Sequence, residues 1–233
     1  MQSPRQYVII VAAGAGRRFG GDTPKQFLDL AGRPVCVCAA ERFHAALPGC
    51  RIIFALPKED FSHWQQFVST AVSSDMDAIY VPGGETRWQS VRNSLDAIGE
   101  DAPPRSVVLV HDGARPLVDD AVIKAVCRPL LNTDGAIPAI PIYDSIRELD
   151  DDDVSSRPVN RSRFRAVQTP QGFTLWRLRQ AYEEPYRPEF TDDASVLAAS
   201  GFTNIVLVEG SRTNIKITTP EDLKIARCLI SER

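Results

Sequence analysis

Unbroken apolar runs alternate with amphipathic stretches along most of the chain. Tyr7–Val11 is apolar throughout and β-branched at its centre, the pattern of a strand buried on both faces of a parallel sheet. Arg51–Leu56, Ala78–Val81, Ser106–Val110 and Ile205–Val208 read as further strands. Helical segments fall between them. Pro34 opens one over Val35–His44, and Asp60–Ser69 forms the next. Arg87–Ile98 carries a stripe of Trp88, Val91, Leu95 and Ile98. Asp119 or Asp120 caps a helix toward Leu131. A helix near Leu175–Glu184, one opened by Thr191 or Asp192, and a last one from Pro220 complete the series. Gly135–Ile142 is strand-like, although its prolines suggest an edge or a bend. The alternation predicts an α/β fold, a doubly wound and mainly parallel sheet, in one domain over 1–233.

Tyr143–Arg163 breaks this rhythm. An acidic tip, Asp150–Asp153, lies between stretches of strand-like character. The pattern predicts a hairpin arm projecting from the domain, because long loops within compact domains are uncommon unless functional. A plain surface loop is the alternative.

Composition narrows the chemistry. A chain of 233 residues buries a substantial core without disulfides or metal. A net charge of −3 advertises no global field for nucleic acid, so any anion site must be local. The five cysteines include no C-x-x-C pair, and the three histidines are scattered. This argues against zinc and for a reduced, cytoplasmic compartment. The first residues are polar and lead straight into a strand, with no signal-like or membrane-spanning run, so no membrane partner is expected.

Four strand ends hold candidate chemistry, since open α/β sheets gather ligands outside the carboxyl ends of their strands. After Val11 come Ala12, Ala13, Gly14, Ala15 and Gly16, then Arg17, Arg18, Gly20, Gly21, Pro24 and Lys25. Small residues leave backbone N–H groups open to a polyanion, and Arg18 and Lys25 add full charges. Neither a Walker A string nor G-x-G-x-x-G occurs in this loop. The remaining readings are a different phosphate cradle or an ordinary turn with solvated cations. The second end, Gly83-Gly84-Glu85-Thr86-Arg87-Trp88-Gln89-Ser90, either meets a base or ribose or is simply the start of a helix capped near Thr86 or Ser90. The third, His111-Asp112-Gly113-Ala114-Arg115-Pro116, sets a carboxylate after a buried strand and an arginine three residues on. Asp112 suits Mg²⁺, which favours a carboxylate plus substrate phosphates, or else pairs with Arg115 to stiffen the turn. His111 reads as structural. In the fourth, Asn214–Thr218, Lys216 alternates with Ile215 and Ile217 on a strand, facing either a phosphate or solvent.

The string A-A-G-x-G-x-R followed by P-K-Q-F resembles the nucleotidyltransferases that activate sugar and polyol phosphates. P-G-G-E-T-R, V-H-D-G-A-R-P, D-S-I, T-P-Q-G-F, T-D-D-A-S and N-I-K-I-T follow along nearly the whole chain. Together they resemble the 2-C-methyl-D-erythritol 4-phosphate cytidylyltransferase family of the non-mevalonate isoprenoid pathway. The resemblance implies a Rossmann-like nucleotidyltransferase fold and transfer from CTP with Mg²⁺. It implies that Arg18 and Lys25 steady the triphosphate and the pentacovalent transition state. Ala12, Ala13, Gly14, Ala15 and Gly16, with Gly83, Glu85 and Ser90, would hold cytidine, and Asp112 the metal. Arg115, Thr169, Thr191 and Lys216 would surround the polyol phosphate, joined by Ser145 and Arg161 from the arm of a second subunit in a homodimer. Glu85 and Ser145 stand where aspartate and threonine are frequent, which leaves reach rather than role open. Ribitol-5-phosphate cytidylyltransferase shares the glycine loop and P-K-Q-F, but T-D-D-A-S and Asp144-Ser145 are closer to the methylerythritol family. A non-catalytic nucleotide-binding regulator is the alternative from another class; the presence of Arg18 and Lys25 argues against it.

Overall fold

A computed structural model describes residues 5–14, 23–150 and 154–231. The strands are β1 (Gln6–Val11), β2 (Asp29–Leu30), β3 (Arg33–Pro34), β4 (Arg51–Leu56), β5 (Ala78–Pro82), β6 (Val107–Asp112), β7 (Gly135–Pro141), β8 (Arg147–Leu149), β9 (Ser156–Pro158), β10 (Arg165–Val167), β11 (Gln171–Thr174) and β12 (Ile205–Glu209). The helices are α1 (Val35–Ala46), α2 (Phe61–Ala71), α3 (Arg87–Asp96), α4 (Asp120–Cys127), α5 (Leu175–Ala181), α6 (Asp193–Ala199) and α7 (Pro220–Ser231).

The main sheet runs β5-β4-β1-β6-β11-β7, with β12 on the far edge of β7. β1, β4, β5 and β6 pair in parallel, as do β7 and β12, whereas β10 and β11 run antiparallel to their neighbours. Successive side chains of β1 point to opposite faces. Val8 and Ile10 therefore enter one core with α1, α2 and α4, while Tyr7 and Ile9 enter another with α3, α5 and α6. A third cluster joins α7 to β2 and the start of α1 through Leu223, Leu30 and Val35. The doubly wound, mainly parallel sheet follows from central strands that are apolar on both faces.

Three local expectations are corrected, and one strand, β11, was not expected. β7 is an interior strand despite its prolines. Pro138 faces the break between β10 and β11, where its carbonyl accepts the Gln168 N–H at 2.8 Å, so its missing donor falls where the ladder is already interrupted. β11 hides in a stretch that Pro170 and Gly172 make look like a turn. Gly172 lets α4 approach, since a Cβ there would lie 2.5 Å from Val126 Cγ1. α4 stops at Cys127, short of Leu131, because Pro129 cannot continue the helix. Asn214–Thr218 joins no ladder; Ile217 N–H reaches Ala114 O at 2.8 Å, and Lys216 still projects outward.

The predicted arm is present. β8 and β9 form a separate antiparallel ribbon, Arg147 opposite Pro158 and Leu149 opposite Ser156. Asp151, Asp152 and Asp153 lie outside the described residues.

Candidate active site

The carboxyl ends of β1, β5 and β6 open into a cleft of about 830 Å³. Ala12, Ala13, Gly14, Lys25, Glu85, Ser90, Asp112 and Lys216 all line it, so the structure brings together the first three strand ends and Lys216. Lys25 begins a 3-10 turn, Lys25–Phe27. The next residue, Gln26, is buried and donates through Nε2 to Ala12 O and Gly14 O, both at 2.8 Å. That amide ties the glycine loop to the turn carrying Lys25. Ala15, Gly16 and Arg18 fall outside the described residues.

Gly83 is packed behind the cleft rather than on its wall. A Cβ there would sit 2.2 Å from Ala13 Cβ and 3.0 Å from Ser90 Oγ, so only glycine lets the β1 and β5 loops approach this closely. Ser90 is buried, accepts Gly84 N–H at 3.0 Å and donates to Thr86 O at 3.0 Å. Thr86 caps α3 by accepting Gln89 N–H at 3.1 Å. The stretch is thus a helix start that also lines the cleft. Glu85 is exposed, and its N–H is held by Gln89 Oε1 at 3.0 Å.

Asp112, the last residue of β6, is the electrostatic centre of the cleft. Lys216 Nζ lies 2.9 Å from Oδ2, Arg115 Nε 3.5 Å from Oδ2, and Arg87 Nε 3.4 Å from Oδ1. Burial alone would raise its pKa, but Arg87, Lys216 and Arg115 outweigh it and hold the carboxyl well below the ordinary range. Asp112 therefore stays ionised. Arg115 is the turn-stiffening partner of Asp112 and also donates to Asn214 O at 2.8 Å, tying the β6 loop to the strip carrying Lys216.

His111 is fully buried and packs edge-on to Phe43. Its Nε2 lies 2.9 Å from Arg115 O and its Nδ1 3.1 Å from Thr169 Oγ1, which itself accepts Asp112 N–H at 3.1 Å. Burial pushes the imidazole down to about 4. The structural reading of His111 holds. Thr169, also buried, grips the Asp112 backbone from behind rather than lining the cleft.

Thr191 is exposed and off the cleft wall, and the cap of α6 is Asp192, in a capping box with Ser195. Ser145 and Arg161 are exposed on the arm, away from their own chain's cleft; Arg161 donates to Tyr143 O. Three residues escaped sequence reasoning. Arg87 lines the cleft between Asp112 and Asp193, Gln26 ties the loop, and Asp193 is completely buried. Gln26 lies within the P-K-Q-F string, where the charge of its neighbour Lys25 is the louder signal.

Comparison with known proteins agrees with this geometry. The family model described as 2-C-methyl-D-erythritol 4-phosphate cytidylyltransferase matches residues 6–232. The chain is 41% identical over 228 residues to a protein of that name from Phocaeicola vulgatus, covering 97% of this chain and 99% of the relative. It is 42% identical over 226 residues to the one from Bacteroides thetaiotaomicron, covering 97% and 100%. The crystal structure of the Francisella tularensis 2-C-methyl-D-erythritol 4-phosphate cytidylyltransferase superposes with a TM-score of 0.78 at 29% identity, covering 96% of this chain and 99% of that one. With a match that spans every strand end of the cleft, the chain belongs to the 2-C-methyl-D-erythritol 4-phosphate cytidylyltransferase family.

Proposed function

We infer that this cleft joins CTP to 2-C-methyl-D-erythritol 4-phosphate, forming 4-diphosphocytidyl-2-C-methyl-D-erythritol and pyrophosphate in isoprenoid biosynthesis. The observation that carries the reading is the ionised Asp112 among Lys216, Arg115 and Arg87, facing a loop of small residues and Lys25. A phosphate monoester is already ionised at neutral pH, so the attacking oxygen needs no general base. Repulsion between two anions is the obstacle. Fixed cations and backbone N–H groups lower it by positioning the substrates and stabilising charge at the α-phosphorus during in-line attack.

Lys25 and Arg18 steady the triphosphate and the transition state. Backbone along Ala12–Gly16, with Glu85 and Ser90, receives the cytidine, and Gly83 acts from behind by letting the β1 and β5 loops meet. Lys216 and Arg115 draw in the polyol phosphate. Thr169 acts there through its grip on the Asp112 backbone. Ser145 and Arg161 reach the substrate from the arm of a second subunit in a homodimer.

The donor set fits a divalent cation carried largely by phosphate oxygens. Asp112 offers one hard, ionised carboxylate; among the described residues Oδ1 has the long Arg87 contact, where Oδ2 holds Lys216 at 2.9 Å. Asp112 would hold Mg²⁺, which would supply charge neutralisation on the triphosphate. All five cysteines are free thiols, and no helix among the described residues is long and apolar enough to cross a membrane. The free thiols suit a cytoplasmic enzyme.

Purified protein with CTP, 2-C-methyl-D-erythritol 4-phosphate and Mg²⁺ should release pyrophosphate and form the cytidine diphosphate ester. Ribitol 5-phosphate should react at a small fraction of that rate, and chelation of the metal should stop turnover. Equal or faster use of ribitol 5-phosphate would reassign the substrate, and no pyrophosphate with either would remove the enzyme reading.

A further inference from the structure

Arg87 and its partners carry a role that the cleft alone does not reveal. Arg87 is the first residue of α3, and its guanidinium spans two carboxylates from different elements. One nitrogen, Nη2, donates to Asp193 Oδ2 at 2.7 Å; Nε faces Asp112 Oδ1 at 3.4 Å. Asp193, at the start of α6, is 0% exposed and does not line the cleft. Its second oxygen, Oδ1, accepts the Tyr182 hydroxyl at 2.6 Å, and Tyr182 is itself buried with Trp88 stacked on its ring. A fully buried carboxylate is retained only when both oxygens are satisfied. Here one goes to a tyrosine and the other to an arginine that reaches the reaction cleft. The planar fork of arginine presents separate nitrogens to the two partners in a fixed geometry, which the point charge of a lysine does not.

We propose that Asp193, braced by Tyr182, is a positioning residue for the reaction: it fixes the Arg87 guanidinium, which in turn aims the Asp112 carboxylate into the cleft. The core of α5 and α6 is thereby linked to the reacting groups. This rests on the reading that Asp112 takes part in turnover. It explains why a buried charge stands where an apolar residue would pack more simply.

The test is a set of double-mutant cycles on kcat. Asp193→Asn keeps the size but removes the charge that holds Arg87; it should lower kcat by about 10- to 100-fold, with KM for CTP and for the polyol phosphate each within about threefold. Tyr182→Phe removes only the brace and should lower kcat by a smaller factor. Arg87→Lys should resemble Asp193→Asn. The deciding measurement is coupling to Asp112→Asn. Adding Asp193→Asn or Tyr182→Phe to Asp112→Asn should change kcat little further, because the positioned group is already lost. Singles whose effects multiply fully in the double variants, or an Asp193→Asn enzyme within about twofold of wild-type kcat, overturn the proposal. If Asp193→Asn does not fold, Tyr182→Phe and its double with Asp112→Asn decide the matter by the same criterion. An impaired Asp112→Asn beside an unaffected Asp193→Asn sinks this proposal alone. A fully active Asp112→Asn removes both it and the role given to Asp112.

Discussion

His111 stands beside the charged cluster and takes no part in its chemistry. In the neutral ring that burial favours, its hydrogen bonds run one way. Asp112 N–H gives to Thr169 Oγ1, the Thr169 hydroxyl gives to Nδ1, and Nε2–H gives to Arg115 O. This arrangement requires a neutral ring. The folded pKa lies near 4 against 6.5 when unperturbed, with burial as the main cause. Between these values the unfolded chain binds a proton that the folded chain refuses. Stability is therefore complete above pH 6.5 and falls as the pH drops toward 4, by roughly 3 kcal/mol in full. Urea melts at about pH 7, 5.5 and 4.5 should show this limb in wild type and a flatter one in His111→Gln. Parallel limbs would assign the loss to other groups. At this scale the sequence showed residue types well and their partners poorly. A lone histidine read as structural, and an aspartate after a buried strand read as a metal ligand or a turn-stiffening partner of Arg115. Nothing in one sequence signals that Asp193 is buried or that Arg87 turns toward it, because both facts depend on α3 and α6 meeting across the sheet end.

Among the elements, the β1 and β5 loops show how tightly the cleft wall is built. Gly83 holds its place by size, with Ala13 Cβ and Ser90 Oγ directly against the missing Cβ. Gly14 meets nothing within 4 Å among the described residues. Gly83→Ala should thus destabilise by about 1–3 kcal/mol through forced displacement of a packed loop. Gly14→Ala should leave the urea midpoint nearly unchanged, and equal midpoints for the two variants would show that the loops part easily. Apolar runs made β1, β4 and β6 readable, since strands buried on both faces leave no polar alternation to confuse with a helix. β11 was hidden because Pro170 and Gly172 are breakers in isolation and become acceptable only between β6 and β7. β7 was misplaced for a related reason: a proline forbids a ladder bond at one residue, and Pro138 meets a neighbour that is interrupted at the same level.

At the scale of the whole molecule, the arm is the feature that a single chain leaves unexplained. Leu149 is 58% and Val154 84% exposed, and a two-stranded ribbon alone is marginal in water. Its base is better secured, with Arg212 stacked 4.4 Å over the Tyr143 ring. If Arg161 serves a partner's cleft, Arg161→Ala and Lys25→Met homodimers should each be nearly inactive. Subunit exchange should then restore activity, because one site in each mixed dimer has both native residues. Proven exchange without recovery would return Arg161 to its own chain. The arm was visible in the sequence as a break in rhythm, but its two ends gave no hint of where they insert. They leave from β7 and return as β10, with Ile140 opposite Ala166, and two residues after β10 comes Thr169, which holds Asp112 N–H. Chain continuity places the residue that holds Asp112 N–H three positions along from Ala166, at the foot of the arm, so a contact that fixes the base of the arm also fixes where the Thr169 loop leaves the sheet.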